Sequence, residues 1–102
     1  MYARITTFTG TPEETQAGVE TFREQALPWM RDATGFRGWI AMVDPESGES
    51  VGISFWTNEA ALRDEVASGA VLRDEVAQFA GVSKESTRVY EVAAVESLEL
   101  ED

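Results

Sequence analysis

The chain is rich in carboxylates and poor in the other side chains that perform chemistry in proteins. Nineteen aspartate and glutamate residues stand against eight lysine and arginine residues, and neither histidine nor cysteine occurs among the 102 residues. Disulfides, thiolate nucleophiles, imidazole bases and cysteine–histidine zinc sites are therefore excluded within the chain. The carboxylates show no spaced ligand cluster, which disfavours a metal-dependent hydrolase. We expect no metal and no cofactor.

The balance of charge limits the partners. The net charge is −11 and the basic residues are scattered, so nucleic acid and anionic membrane surfaces should repel the protein. The acidic residues are interpreted as a solvated surface. The first seven residues lack the basic start and apolar run of a signal peptide, and no apolar stretch approaches membrane-spanning length. These features predict a cytoplasmic protein without nucleic-acid or membrane partners.

The first half of the chain predicts a strand followed by a kinked helix. Residues 2–8 alternate bulky, β-branched and small side chains, as strands do. Thr11, Pro12 and Glu14 then form the pattern of a capping box with proline at the first helical position. Pro28 should kink this helix, and Gly35 is placed to end it after Thr34. The apolar stripe of the helix recurs at spacings of three and four: Val19, Phe22, Ala26, Trp29 or Met30, and Ala33.

The second half predicts a hairpin, a helix and a final strand. Residues 36–43 and 51–56 are apolar runs joined by turn residues, Asn58 can cap the second helix, and residues 87–95 form the last strand. The order is βαββαβ over one domain, residues 1–102. This predicts a ferredoxin-like α+β fold: a four-stranded antiparallel sheet with two helices on one face.

A hexapeptide recurs within the second helical region. Residues 62–67 and 72–77 are identical, and a spacing of ten residues falls about 80° short of three full turns of helix. A straight helix cannot point both copies at one core. We expect two helical pieces with a bend at Ser68-Gly69, and interpret the recurrence as a local duplication because two short copies are too few for a solenoid.

The strands carry bulky side chains on both faces, whereas a sheet with one wet face alternates apolar and polar residues. One face should be covered by the helices, and the other would be an exposed apolar patch of interface size. A twofold homodimer that pairs sheet against sheet would bury it. The opposed sets are Phe36, Ile40 and Met42 against Trp39, Ala41 and Val43; Val51, Ile53 and Phe55 against Trp56; and Val89, Ala93 and Val95 against Tyr90, Val92 and Ala94.

Three segments together resemble a known family. They are Gly35-Phe36-Arg37-Gly38, the preceding Leu27-Pro28, and Trp56 followed by Thr57-Asn58-Glu59-Ala60-Ala61-Leu62. Over roughly residues 2–95 the chain resembles the antibiotic biosynthesis monooxygenase-like members of the dimeric α+β barrel superfamily. The resemblance implies a homodimeric barrel with a small-molecule pocket between sheet and helices in each subunit. Relatives include cofactor-independent oxygenases and haem-degrading enzymes.

The haem-degrading branch uses an asparagine on the first strand, a tryptophan at the end of the third and an axial histidine on the second helix. The matching positions here are Ala3, Trp56 and Glu75, so only the tryptophan is retained. Haem binding of that type is not expected.

For the oxygenase branch, the resemblance implies polar groups that orient an electron-rich aromatic substrate and its anion. Trp56 is the pocket residue we favour. Tryptophans at such positions are, however, more often core anchors. The arginines could pair with carboxylates, Asn58 could serve only as a helix cap, and Tyr90 could face the dimer core. The predicted function is cofactor-independent oxidation or binding of a small aromatic or hydrophobic metabolite; the alternative is a non-catalytic homodimer in ligand sensing or an accessory role. The ligand-binding candidates are Trp56, Ser54, Trp39, Tyr90, Arg4, Arg88 and Asn58.

Overall fold

Strands and helices follow one another in the predicted order. The computed structural model describes residues 1–64 and 83–96. Its strands are β1 (Tyr2–Thr9), β2 (Phe36–Val43), β3 (Ser50–Trp56) and β4 (Ser83–Glu91), and the helices α1 (Pro12–Gln25) and α2 (Leu27–Arg31) lie between β1 and β2. Residues 59–64 are the described part of a helix that follows β3, here called α3. The strands form one antiparallel sheet in the spatial order β2-β3-β1-β4.

The predicted start and kink of the first helix are both present. The Thr11 hydroxyl accepts a hydrogen bond from the Glu14 backbone N–H at 3.2 Å, and the Glu14 carboxylate accepts one from the Thr11 N–H at 2.8 Å. Pro28 cannot donate to the helical ladder and its ring crowds the preceding turn. The helix is accordingly divided, and α2 begins at Leu27.

The prediction that this helix continues to Thr34 and Gly35 is wrong. It ends at Arg31 because the next N–H groups tighten to three-residue spacing: Asp32 donates to the Trp29 carbonyl and Ala33 to the Met30 carbonyl. Gly35 has a φ of 85°, and a Cβ there would lie 2.6 Å from the Ala61 Cβ. Glycine is therefore required at the turn into β2.

The predicted hairpin between β2 and β3 is confirmed. Its loop closes through hydrogen bonds from the Asp44 N–H to the Glu49 carbonyl and from the Gly48 N–H to the Asp44 carbonyl. The Asp44 carboxylate also accepts hydrogen bonds from the backbone N–H groups of Glu46 and Ser47. Because these bonds favour the charged form, they lower the pKa of Asp44.

A register shift in β2 corrects the predicted assignment of faces. The shift lies between Phe36 and Gly38, so Phe36 pairs with Trp56 while Gly38 pairs with Phe55. An extra residue in one strand reverses the alternation of side chains beyond it. Phe36 therefore lies on the helix-covered face, where its ring meets Trp56 edge-on at 5.5 Å. The prediction that Phe36 shares a face with Ile40 and Met42 is therefore wrong.

The last strand begins and ends earlier than predicted. It spans Ser83–Glu91, whereas the sequence pattern placed it at residues 87–95. A strand requires a partner for its backbone groups. The pairing with β1 runs from Thr9, opposite Ser83, to Tyr2, opposite Glu91, and one further hydrogen bond joins the Val92 N–H to the Met1 carbonyl. Residues 92–96 extend past the end of β1 and form no strand.

Asn58 caps α3 as predicted: its side-chain oxygen accepts a hydrogen bond from the Ala61 N–H at 2.9 Å. The first copy of the hexapeptide begins at Leu62, which is buried. The second copy, the predicted bend at Ser68-Gly69 and Glu75 lie outside the described residues. No helix within residues 1–64 and 83–96 has the length and hydropathy needed to cross a membrane.

The two faces of the sheet differ. On the covered face, Trp56 packs with Leu27, Met30 and Leu62 in a buried core. On the other face, here called the open face, the centre is a cross-strand row of Ile5, Ile53 and Ile40. These isoleucines are half-buried, and Met42 and Tyr90 nearby are 50% and 49% exposed. The centre of the open face is thus apolar.

Candidate functional site

A cavity, here called the central cavity, lies between α1 and the covered face of the sheet. It measures about 70 Å³ and is partly open to solvent. Its wall is mostly apolar, with one charged side chain and several hydroxyls among the described residues. The lining residues are Arg4, Thr6, Phe8, Thr15, Gly18, Val19, Phe22, Met30, Trp39, Ala41, Ser50, Val51, Gly52 and Ser54.

The floor of the cavity is a row of small residues across three strands. Thr6 of β1 pairs with Gly52 of β3, and Gly52 pairs with Ala41 of β2. Among the described residues, only the Trp39 Nε1 atom lies within 4 Å of a Cβ at Gly52, at 3.8 Å. Because side chains are short along this row, the space between sheet and helix is not filled.

A glycine also faces the cavity from the helix side. Gly18 lies in the interior of α1 and lines the cavity. Glycine in a helix or strand interior costs about 0.5–1 kcal/mol relative to alanine. Gly18 and Gly52 both carry this cost, and both contribute to one open space. Such a cost is consistent with a space kept open for a ligand.

Three predicted site residues form a second cross-strand row at the polar end of the cavity. Ser54 pairs with Arg4 on one side and with Trp39 on the other. Arg4 is 5% exposed and Ser54 is 3% exposed. A buried arginine is held by interactions with its surroundings, and Arg4 does interact within the protein. The row brings a guanidinium, a hydroxyl and an indole to one wall.

Trp56 contacts this wall through Ser54. It is fully buried, and its Nε1 donates a hydrogen bond of 2.9 Å to the Ser54 Oγ. It is not among the described residues that line the cavity. The bond orients the Ser54 hydroxyl, which still has a proton to donate. Trp56 thus occupies the position of a core residue that orients Ser54.

The remaining candidates lie elsewhere. Arg88 pairs with Ile5 and Tyr90 pairs with Ala3, both on the open face. Asn58 caps α3 and borders a surface groove that also includes Trp29 and Asp64. The structure therefore brings Arg4, Ser54 and Trp39 together, and it separates the other three from them.

The sequence pattern did not single out Thr6, Gly18, Phe22 or Gly52 as site residues. A signal for two of them was present, because an isolated glycine within a helical or strand pattern often has a packing reason. Which face those glycines occupy depends on register. Phe22 was assigned to the apolar stripe of the helix, and its stacking on Trp39, with ring centres 5.3 Å apart, became visible only in three dimensions.

Comparisons with known proteins reveal similarity in structure. No protein-family sequence model matches the chain, and no curated protein sequence matches it. A proposed antibiotic biosynthesis monooxygenase from Deinococcus radiodurans has a TM-score of 0.74 at 16% identity, over 97% of this chain and 99% of that chain. SnoaB, a cofactor-independent oxygenase from Streptomyces nogalater, has a TM-score of 0.70 at 18% identity, over 92% of this chain and 94% of that chain. A dimeric ferredoxin-like protein from an uncultured marine organism has a TM-score of 0.74 at 10% identity, over 93% of this chain and 97% of that chain.

These similarities define the fold class. The chain has a ferredoxin-like α+β fold, and solved structures with this fold include antibiotic biosynthesis monooxygenases. The predicted fold is confirmed, as is the predicted resemblance at the level of the fold. At identities of 10–18% the likeness does not extend to activity.

Proposed function

We propose that the protein binds a small aromatic molecule in the central cavity. The observation that carries the proposal is the pair of glycines, Gly18 and Gly52, that face this space from inside a helix and a strand. A cavity volume of about 10–15 Å³ is enough for one water molecule, so a cavity of about 70 Å³ holds more than one. Pockets for drug-sized ligands run to about 300–1,000 Å³. A cavity of about 70 Å³ lies between these two sizes, so a ligand with one or two rings fits it better than a polycyclic one.

The charge of the wall favours an oxygen-bearing aromatic. The chain carries a net charge of −11, yet none of the described lining residues is acidic and Arg4 is basic. Arg4 and the hydroxyl of Ser54 are both hydrogen-bond donors. A phenol, phenolate or quinone oxygen would find donors there, whereas an ammonium group would not find a carboxylate.

Oxidation of the bound ligand is a second function, supported by the likeness in fold to a cofactor-independent oxygenase. The balanced reaction converts a ring methylene beside a phenol into a ketone with one molecule of oxygen: one oxygen atom enters the carbonyl, and the other leaves as water with both methylene hydrogens. No external reductant is needed. The described lining residues include no carboxylate or imidazole, so the acidity of the substrate itself must supply the reactive anion. A non-catalytic sensing or accessory role is the alternative.

Calorimetric titration with hydroquinone, 1-naphthol and 1,4-naphthoquinone tests the binding proposal. We expect Ala41→Leu to weaken binding by about 10-fold or more, because its larger side chain would enter the cavity and compete with the ligand. Met42→Leu is the matched control, since Met42 belongs to the open face, and it should change affinity by less than about twofold. The proposal is wrong if the wild type binds no aromatic, or if both variants bind as the wild type does.

Oxygen uptake with the same phenols, and with a phenol that carries a ring methylene, separates the two roles. Uptake that requires both protein and substrate, and that falls in parallel with binding in Ala41→Leu, supports oxidation. Binding without uptake for any substrate leaves the sensing or accessory role.

We also propose a homodimer formed through the open face. The row of Ile5, Ile53 and Ile40 would be an exposed apolar patch in a monomer. A twofold axis lets the same patch cover itself. The existence of a dimeric ferredoxin-like protein of similar structure supports the pairing of two subunits.

Sedimentation measurements test the dimer. The wild type should show about twice the chain mass of 11.2 kDa, and Ile53→Glu should shift the protein to the monomer mass because a carboxylate at the centre of an apolar interface is costly to bury. Gln16→Glu introduces the same charge at an exposed position of α1 and should leave the dimer intact. A wild type of monomer mass at micromolar concentration would contradict the proposal.

A further inference from the structure

One polar atom of the described residues borders the space above Gly52. A Cβ at Gly52 would lie 3.8 Å from the Trp39 Nε1, and no other atom of residues 1–64 and 83–96 is found within 4 Å of it. Gly52 has no positive φ, so the backbone does not require glycine here. A reason for glycine at residue 52 must therefore come from the space that its missing side chain leaves.

The indole that borders this space is held in place. Trp39 stacks on Phe22 of α1, with ring centres 5.3 Å apart and planes 22° apart. No hydrogen bond from its Nε1 is found within residues 1–64 and 83–96, whereas the Nε1 of Trp56 is bonded to Ser54. An indole N–H donates but never accepts. The Trp39 N–H is thus a positioned donor at the edge of the central cavity.

We infer that the space above Gly52 is an acceptor subsite, in which a carbonyl or phenolate oxygen of a small planar aromatic ligand accepts a hydrogen bond from Trp39 Nε1. This inference rests on the proposed binding function and makes it more specific. The ligand ring fills the cavity beside Gly18, and its oxygen occupies the volume that a side chain at residue 52 would take. Trp39 selects for the oxygen, and Gly52 makes room for it.

The recognition chemistry defines the ligand class. The subsite accepts an sp² oxygen on or beside an aromatic ring, because such an oxygen lies in the ring plane and its lone pairs can receive an N–H bond there. It rejects an ammonium or amide N–H at the same place, since two donors would then face each other. Aryl ketones, aryl aldehydes, quinones and phenolates satisfy this requirement.

A pair of matched ligands tests the subsite. Acetophenone and α-methylstyrene have nearly the same shape, and differ by a carbonyl oxygen in place of a methylene. The quantity measured is the ratio of their dissociation constants, by calorimetric titration, in the wild type and in Trp39→Phe. Phenylalanine preserves an aromatic ring against Phe22 and removes the N–H. We expect the preference for acetophenone to fall by about 5-fold or more, since a buried carbonyl loses its partner.

Gly52→Ala provides a second and independent variant. Its methyl group would occupy the subsite, so both ligands should bind about 10-fold more weakly or worse. The melting temperature should not fall, because the added Cβ meets no atom closer than 3.8 Å and alanine suits a strand better than glycine. Gly38→Ala is the matched control: Gly38 is also a strand glycine, a Cβ there would meet no atom of the described residues within 4 Å, and Gly38 is not among the residues found to line the cavity. It should leave both affinities unchanged.

The outcomes separate this inference from the proposed function. An unchanged ligand ratio in a folded Trp39→Phe variant, or wild-type affinity in Gly52→Ala, overturns the acceptor subsite and leaves the binding function in place. The same holds if the wild type binds phenols but neither matched ligand. Failure of the wild type to bind any aromatic compound overturns both.

Discussion

Replacing Gly48 with alanine is expected to lower the free energy of unfolding by about 2–5 kcal/mol. Gly48 is buried, and its φ of 83° is a conformation that costs other residues about 1–2 kcal/mol. A Cβ there would also lie 2.8 Å from the Thr11 carbonyl carbon and 2.9 Å from the Pro12 nitrogen, and well within contact distance of the Gly10 carbonyl oxygen. These are backbone atoms and cannot rotate away.

The expected loss extends to the central cavity, because the contacted segment begins α1. The capping box at Thr11 and Glu14 fixes where this helix starts, and Gly18 lies one turn farther along. Urea denaturation of Gly48→Ala and of Gly48→Asn separates the two causes. Asparagine tolerates a positive φ better than alanine but introduces the same Cβ, so both variants should be strongly destabilised if the close contact dominates.

Gly38→Ala serves as the reference for the intrinsic effect of a methyl group on a strand glycine. Because no atom of residues 1–64 and 83–96 lies within 4 Å of its Cβ, this variant should change the free energy of unfolding by less than about 1 kcal/mol. If Gly48→Ala unfolds at the same urea concentration as the wild type, the claim that the β2–β3 loop packs tightly against the start of α1 is contradicted.

Trp56→Ala is the second substitution with a large expected effect, about 3–5 kcal/mol of unfolding free energy. Trp56 is fully buried, contacts the ring of Phe36 edge-on and packs against Leu27, Met30 and Leu62. Truncation would open a cavity at the centre of this core. Trp56→Phe keeps most of the volume and should cost about 1–3 kcal/mol, in part because the Ser54 hydroxyl loses the N–H that orients it.

Comparison with Trp39 distinguishes a core residue from a ligand-binding one. Trp56→Phe should lower the melting temperature more than Trp39→Phe, while Trp39→Phe should change the ligand ratio more. Both follow from position: Trp56 is absent from the described cavity lining, whereas Trp39 is part of it. If Trp56→Phe has wild-type stability but no longer binds aromatic compounds, Trp56 is a ligand-binding residue, as the sequence analysis predicted.

Local signals in the sequence predicted most element boundaries within the described residues. The capping box at Thr11, the kink at Pro28 and the cap at Asn58 each depend on a few neighbouring residues, and each is present. The prediction failed where a boundary depends on a distant partner. Strand β4 ends at Glu91, opposite Tyr2 at the start of β1, and no local pattern in residues 87–95 reveals this pairing.

The candidate site shows the same division. Residue type made Arg4, Ser54 and Trp39 candidates, and the structure places them in one cross-strand row. The same reasoning also proposed Arg88 and Tyr90, whose side chains belong to the open face. Alternation along a strand separates its residues into two sets, but only pairing with the neighbouring strands decides which set faces the helices.

The sequence by itself determined the order of the elements, the helix starts, the hairpin and the absence of thiol and imidazole chemistry, because composition and short-range geometry suffice for these. The tertiary structure alone decided which side of the sheet is covered. It also decided that the shift near Phe36 returns this ring to the core, and that Gly18 and Gly52 meet across one cavity. Gly18 and Gly52 are 34 residues apart in the chain, so their common cavity arises only when strand register and helix packing are fixed together.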